Sequence, residues 1–187
     1  MKYSFVLFLY ASYLASAAQT FNAKASTSGV IKTSEGKYEG IIDINITSNQ
    51  VLCRSAEKTQ IFSAQQIKEV RGTGAQGEEI YYKGYTLNGE AHLFEVLSDG
   101  KITLLFKPGI VKDEFTNSTY PPFFILGKKK ELIPLERKKD LISTFGGDSK
   151  WMEQFIKNNQ LDLDHKEGVY RAFSYYNQTF EATNPSP

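Results

Sequence analysis

The sequence predicts an α+β fold in which a mainly antiparallel, small barrel-like β body precedes a C-terminal subdomain of two or three short helices. Apolar runs of strand length recur roughly every 8 to 12 residues through the first two thirds of the chain. The dipeptides Asn88-Gly89 and Asp99-Gly100 separate three such runs. From Leu141 onward, apolar residues recur at helical spacing instead.

The segment Glu78 to Lys107 carries the clearest strand pattern. Asn-Gly and Asp-Gly accept the positive φ angles of two-residue type I′ turns, so the segment is predicted to be a three-stranded meander. Alternating residues such as Leu93 and Phe94 lie on opposite faces of a strand, and both are apolar. We therefore expect this sheet to be covered on both sides.

Shorter strands are predicted before the meander, and a hairpin is predicted after it. The earlier strands are Gly29–Thr33, Tyr38–Ile46, Gln50–Ser55, Thr59–Phe62 and Ile67–Arg71, and the later hairpin joins Phe123–Leu126 to Glu131–Leu135. Pro108 to Tyr120 is predicted to be a loop. Turn residues between the runs support each boundary.

Three short helices are predicted at the C-terminal end, each with an apolar stripe. The stripes are Leu141, Ile142 and Phe145; Trp151, Met152, Phe155 and Ile156; and Val169, Tyr170, Phe173 and Tyr176. Such stripes need a partner surface, and little linker composition separates them from the strands. We therefore expect residues 136–187 to form a helical subdomain packed on a β body of residues 19–135.

Residues 1–18 have the three parts of a secretory signal peptide. Lys2 gives a basic start, Phe5 to Leu14 is apolar, and Ala15 to Ala18 is rich in small residues. The apolar run is shorter than the roughly 20 residues that a membrane span needs. We expect cleavage near Ala17 or Ala18, a mature chain without a transmembrane span, and a periplasmic or secreted location.

Charge and cysteine content exclude several classes of function. The chain has 22 basic and 21 acidic residues, and removal of Lys2 with the signal leaves 21 of each. A neutral exported chain is a poor nucleic-acid binder, so no nucleic-acid partner is expected. Cys53 is the only cysteine, which excludes an intramolecular disulfide, and its strand-like surroundings predict a buried structural thiol.

No catalytic, metal or cofactor site is predicted. His92 and His165 are far apart in the sequence, and Cys53 is close to neither, so zinc or copper ligands do not cluster. No Gly-x-Ser-x-Gly motif is present. His92 is the only candidate base on a predicted strand, where a hydrogen-bonded structural role is the simpler interpretation.

Two groups of residues are candidates for ligand binding. Tyr82, Tyr85 and Phe94 belong to an aromatic set that is able to line an apolar cavity, with core packing as the alternative. Lys128, Lys129 and Lys130 are able to contact an anionic lipid or polysaccharide, with a solvated hairpin tip as the alternative.

Two resemblances accompany these patterns. The strand Gly100–Leu105, the hairpin at Phe123–Gly127, the short helices and the closing Tyr175–Asn177 together resemble a group of uncharacterised exported proteins of Bacteroidota. That resemblance implies export but neither an activity nor site residues. Gly36 to Gly40, followed by Asp43 and Asn49, resembles the bent first hairpins of small SH3-like or Sm-like barrels.

The function that these observations favour is a non-enzymatic exported protein, acting in binding or in association with the cell envelope. Its partner would be an envelope lipid, a polysaccharide or another envelope protein. A periplasmic carrier of an apolar ligand or lipid is the first alternative, and an unrecognised hydrolase is the second. A cavity of roughly 300 Å³ or more would favour the carrier.

Overall fold

A ten-stranded antiparallel sheet forms most of the protein, and three helices follow it. The computed structural model describes residues 27–74, 76–108, 111–113, 118–120 and 122–181. This architecture confirms the predicted α+β class, with the difference that the sheet does not close into a barrel. The predicted signal peptide lies outside the described residues.

All the described strands precede the helices in the chain. The strands are β1 Thr27–Thr33, β2 Lys37–Asn45, β3 Gln50–Arg54, β4 Thr59–Ser63, β5 Ile67–Thr73, β6 Glu79–Leu87, β7 Glu90–Ser98, β8 Leu104–Phe106, β9 Val111–Asp113, β10 Ser118–Tyr120, β11 Phe123–Leu126 and β12 Leu132–Pro134. The helices are α1 Lys138–Ser143, α2 Ser149–Asn158 and α3 Lys166–Glu181, with a 3-10 turn at Gly146–Asp148 between the first two. Strands β9 and β10 pair with each other, so the segment predicted as a loop contains a short hairpin.

The large sheet runs in the order β12-β11-β8-β7-β6-β5-β1-β2-β3-β4. It curls strongly, because the turn between β2 and β3 reaches β7, which is four places from β2 in the sheet. There the Asn49 side chain accepts a hydrogen bond from the Leu93 amide at 3.0 Å. Gly84 on β6 lies against the turn between β4 and β5, where a Cβ atom would come within 2.2 Å of the Ala64 carbonyl oxygen. The curl therefore needs glycine at this point.

The two turns predicted in the meander have different outcomes. Asn88 and Gly89 have φ angles of 52° and 83°, which confirms a tight turn with two left-handed residues. The predicted Asp99-Gly100 turn is wrong, because β7 ends at Ser98 and β8 begins only at Leu104. Between these strands, Ile102 forms backbone hydrogen bonds with a side chain of α3. Asn177 accepts a hydrogen bond from the Ile102 amide at 3.0 Å and donates one to the Ile102 carbonyl at 2.8 Å.

Both faces of the central strands are buried, as expected. Leu104 and Leu105 are adjacent in β8, belong to different apolar clusters and are both 0% exposed. One face, here called the inner face, lines the curl with residues including Ile31, Ile42, Val51, Phe62, Val70 and Leu93. The other face, here called the outer face, carries Tyr81, Phe94, Val96, Leu105 and Phe124.

The helices share one apolar cluster with strands β8 and β11. Leu104 and Phe123 from the sheet pack with Leu141, Phe145, Met152, Val169, Phe173 and Tyr176 from the helical region. The prediction that Trp151 is buried is wrong, because its side chain is 41% exposed. Its neighbour Met152 takes the buried position, and Trp151 stacks on Tyr175 with ring centroids 5.3 Å apart. Among the described helices, none is long and apolar enough to cross a bilayer.

Candidate functional site

A groove of about 880 Å³ lies between the curled sheet and the start of α3. Strands β2, β5, β6 and β7 form its walls, and Lys166, Glu167 and Tyr170 border it from the helix. This volume is within the range of pockets that hold small molecules, about 300 to 1,000 Å³.

One wall of the groove is aliphatic. Ile42 and Ile44 alternate along β2, Ile46 follows directly after the strand, and Ile80 stands on β6. Ile42 is fully buried in the core beneath, whereas Ile44, Ile46 and Ile80 are only half-buried. Side chains two apart on a strand share one face, so β2 presents a continuous apolar strip to the groove.

An ion pair joins the sheet to the helix at the groove. The Lys166 ammonium donates to Glu95 Oε1 at 2.6 Å, and it lies 4.9 Å from the centroid of the Phe106 ring. Both side chains are half-buried. Because solvent screens this pair incompletely, it is stronger than a fully exposed pair and fixes the start of α3 against β7.

Tyr82 brings a polar group into the groove beside this pair. It lies directly opposite Glu95 on the neighbouring strand and is 8% exposed. Within the described part of the chain its hydroxyl has no hydrogen-bond partner. Burial, together with the negative charge of Glu95, raises the pKa of Tyr82, so the phenol stays protonated and is able to donate or accept a hydrogen bond.

Charged residues at the groove rim are already paired in two places. The Arg71 guanidinium donates to Glu79 at 3.0 Å and stacks over the Tyr81 ring, 3.7 Å from its centroid. Asp99 accepts from Lys83 at 3.2 Å and from the Thr103 hydroxyl at 2.7 Å. Although burial opposes it, these hydrogen bonds and the Lys83 charge lower the pKa of Asp99.

The residues predicted to bind ligand do not lie together. Tyr82 lines the groove, but Tyr85 and Phe94 stand on the outer face, where their ring centroids are 6.0 Å apart. Phe94 is 0% exposed and belongs to the core. Lys128, Lys129 and Lys130 occupy the exposed turn between β11 and β12. The aromatic group is therefore divided between the groove and the outer face, and the three lysines lie outside the groove.

The other candidate reactive groups have structural surroundings. Asn49 Nδ2 donates to His92 Nδ1 at 3.2 Å, and burial, with a smaller effect of the Lys107 charge, lowers the pKa of His92. Cys53 is 4% exposed, and burial raises the pKa of its thiol, as expected for a structural cysteine. No three His, Cys, Asp or Glu side chains within the described ranges group closely enough to hold a metal ion.

Most of the groove was not predicted from sequence. Ile42, Ile44 and Ile46 alternate in a way that indicates an apolar strand face, but the same pattern serves an ordinary core. No local pattern in the sequence indicates the role of Lys166, because its partner Glu95 is 71 residues away. Tyr170 was predicted to be buried on α3, yet it is 40% exposed and borders the groove.

Comparisons with known proteins add no assignment to this geometry. The sequence matches no protein-family model, and searches of curated proteins and of solved structures found no significant similarity.

Proposed function

We propose that this chain is a non-enzymatic binding protein that holds an apolar small molecule or a single-chain lipid in the groove between the sheet and α3. The observation that carries the proposal is the groove itself, an opening of about 880 Å³ with an aliphatic wall and a few convergent polar groups. Small-molecule sites combine these same features. Of the functions that the sequence allows, the groove favours the carrier of an apolar ligand.

The groove supports binding more than chemistry. The polar groups beside its aliphatic wall include the Lys166–Glu95 ion pair, the protonated Tyr82 phenol and the charged residues of the rim. His92 and Cys53, the residues with the most reactive side chains, are absent from its lining. The protein's contribution is therefore shape and burial of apolar surface, at about 25 cal/mol for each Å² removed from water.

A fluorescence titration tests the groove. N-phenyl-naphthylamine is neutral and apolar, and its emission rises when it enters an apolar site. We expect saturable binding by the wild type and about 5- to 10-fold weaker binding by Tyr170→Ala, which removes an aromatic border of the groove. Native mass spectrometry of the purified protein would report any ligand that copurifies.

Trp151→Ala is the matched control. Trp151 is 41% exposed and Tyr170 is 40% exposed, and both are aromatic residues on neighbouring helices, but only Tyr170 lines the groove. The control should bind the probe as the wild type does. Equal loss in both variants, or no saturable binding by the wild type, would contradict the proposal.

Export is part of the same proposal and rests on residues 1–18 alone. The mature protein should begin near Ala18 or Gln19 and be recovered from the periplasm or the medium. Sequencing of its N-terminus decides this, because an intact Met1 on a cytoplasmic product is incompatible with cleavage.

A second candidate function is attachment to an anionic envelope surface through Lys128, Lys129 and Lys130. These three lysines are exposed, and none forms an ion pair within the described part of the chain. Replacing all three with Gln should abolish binding to vesicles that contain phosphatidylglycerol. The control, Gln at the exposed residues Lys68, Lys150 and Lys157, changes the net charge equally and should retain binding. Equal loss in both variants would indicate an effect of net charge alone.

A further inference from the structure

The charges that line the groove are unequal. Among the described residues that line it are two cations, Arg71 and Lys166, and five carboxylates, Glu78, Glu79, Glu95, Asp99 and Glu167. Lys83, which is outside the lining, pairs with Asp99, so two of the five carboxylates remain without a paired cation within the described part of the chain. Each cation already holds a carboxylate of the groove, Arg71 with Glu79 and Lys166 with Glu95. An anionic ligand would therefore have to displace one of these carboxylates.

Two of the carboxylates are free to meet a ligand cation. Glu78 and Glu167 are exposed, and neither forms an ion pair within the described residues. Glu78 Oε2 accepts a hydrogen bond from the Gln76 amide at 3.0 Å, which holds the carboxylate but leaves its charge uncompensated. Glu167 stands in the first turn of α3, next to Lys166.

Tyr82 gives independent support, since it is a polar side chain that is more than nine-tenths buried, lines the groove and lacks a hydrogen-bond partner within the described residues. Its phenol oxygen is able to accept a hydrogen bond from an ammonium group. A ligand ammonium in that position would lie beside the Glu95 carboxylate, because Tyr82 and Glu95 are directly opposite each other on β6 and β7.

We infer that the ligand of the groove is an amphipathic cation, with an apolar body against Ile44, Ile46 and Ile80 and an ammonium or amidinium group near Tyr82 and the carboxylates. This inference rests on the proposed binding function and adds the charge of the ligand to it. Opposite charges around a partly desolvated cleft attract one sign of ligand and repel the other.

A series of ten-carbon compounds isolates the effect of charge. Decylamine and decanol have the same decyl chain, whereas the apolar chain of decanoate is one CH2 group shorter, which accounts for about 4-fold of any preference over decanoate. Each compound is used below its critical micelle concentration or solubility limit to displace N-phenyl-naphthylamine at pH 7. We expect decylamine to bind at least about 10-fold more tightly than decanoate at low salt, with decanol between them. The preference should shrink at about 0.5 M salt, where the screening length falls to a few ångströms.

Variants locate the selectivity. Glu78→Gln combined with Glu167→Gln should reduce the preference for decylamine over decanoate to about the 4-fold that the additional CH2 group explains. Glu35→Gln combined with Glu57→Gln removes two exposed carboxylates outside the groove lining and should leave the preference intact. Tyr82→Phe should weaken the binding of decylamine at least about 10-fold, through the loss of one hydrogen bond to a charged group.

The possible failures separate this inference from the proposed function. Equal displacement by all three compounds, or tighter binding of decanoate, would overturn the charge preference and leave the binding function standing. A preference for decylamine that survives the Glu78 and Glu167 changes would also overturn it, because the selecting charges would then lie elsewhere. Failure of the probe itself to bind would remove the proposed function.

Discussion

The ammonium group of Lys107 donates a hydrogen bond to Asn49 Oδ1 at 2.8 Å, across 58 residues of sequence. Asn49 lies at the turn between β2 and β3, and Lys107 lies just after β8, so this contact connects the two ends of the curl. Asn49 also accepts from the Leu93 amide and donates to His92. One amide side chain thus joins the turn between β2 and β3 to the neighbouring strands β7 and β8, with which β2 and β3 are not paired.

The pH dependence of stability should report the burial of Lys107. Burial lowers the pKa of Lys107 from 10.5 to about 8. Above about pH 8 the folded state releases this proton while the unfolded chain keeps it, so the unfolded state binds more protons and the stability rises with pH. We expect a gain of about 1 to 3 kcal/mol between pH 7.5 and pH 9.5.

Lys107→Met removes this titration, and urea unfolding at pH 7.5 and pH 9.5 measures the difference. The variant should lose stability relative to wild type as the pH rises. Lys68→Met, at an exposed lysine on β5, should follow the wild-type trend. The range stops below pH 10 because the pKa values of Tyr82 and Tyr85 are raised, mainly by burial, and their titration acts in the opposite direction. Parallel pH profiles for wild type and Lys107→Met would contradict the assignment.

Asn49→Ala should cost about 3 kcal/mol of unfolding free energy. The substitution leaves the amide of the fully buried Leu93 without its side-chain partner, and an unsatisfied buried donor costs about 1 to 3 kcal/mol. Asn49 also has a left-handed backbone, φ 54°, which adds roughly 1 kcal/mol for a residue with a Cβ atom that lacks the local hydrogen bonding of Asn.

Asn88→Ala separates these two effects. Asn88 is also an asparagine with nearly the same φ, 52°, but its side chain is exposed. We expect this control to cost about 1 kcal/mol or less. Chemical denaturation of both variants measures the difference, and similar losses would show that the Asn49 side chain does not hold the curl.

Cys53 should react slowly with a chromogenic disulfide reagent in the native protein and completely after denaturation. The reactive species is the thiolate, and burial both excludes the reagent and raises the pKa of this thiol. We expect a native rate at least about 100-fold below that of an exposed thiol, because reaction requires local opening of the sheet. Ser55→Cys in a Cys53→Val background provides the exposed reference. Comparable rates for the two thiols would show that Cys53 is accessible.

The elements of this fold were predictable where their signals are local. Asn88-Gly89 forms its turn because both residues accept positive φ angles, and the alternation of Leu93 with Phe94 places them on opposite buried faces. Asp99-Gly100 has an equally clear local signal but does not form the two-residue turn. The side chain of Asn177, 75 residues after Ile102, forms hydrogen bonds with both the amide and the carbonyl of Ile102 instead. Tertiary hydrogen bonds overrode the turn preference there.

The groove depends on distant parts of the chain and was predictable only in part. Tyr82 belongs to it, but its companions come from β2 and α3, and no spacing in the sequence brings Ile44 and Lys166 together. Tyr85 and Tyr82 are both tyrosines of β6 and are three positions apart. Because side chains alternate along a strand, an odd number of positions places Tyr85 on the other face of β6. Helical periodicity similarly places Trp151 and Met152 on one apolar stripe, but it does not show which of the two is buried.

The helices should unfold together with the sheet, because the two share one apolar cluster. Met152 is 0% exposed and shares a cluster with Leu104 and Phe123, so Met152→Ala should leave a cavity between helix and sheet and cost about 2 to 5 kcal/mol. Trp151→Ala should cost only about 1 kcal/mol, since that side chain is 41% exposed and loses mainly its stacking on Tyr175. The ordering is notable because truncation of the larger side chain has the smaller effect. Circular dichroism for the helices and infrared absorption for the sheet, followed through one denaturant titration, should both shift to lower midpoints in Met152→Ala. If helix content were lost first while the sheet signal kept its wild-type midpoint, the helices would be an independent unit and the shared cluster would not couple them.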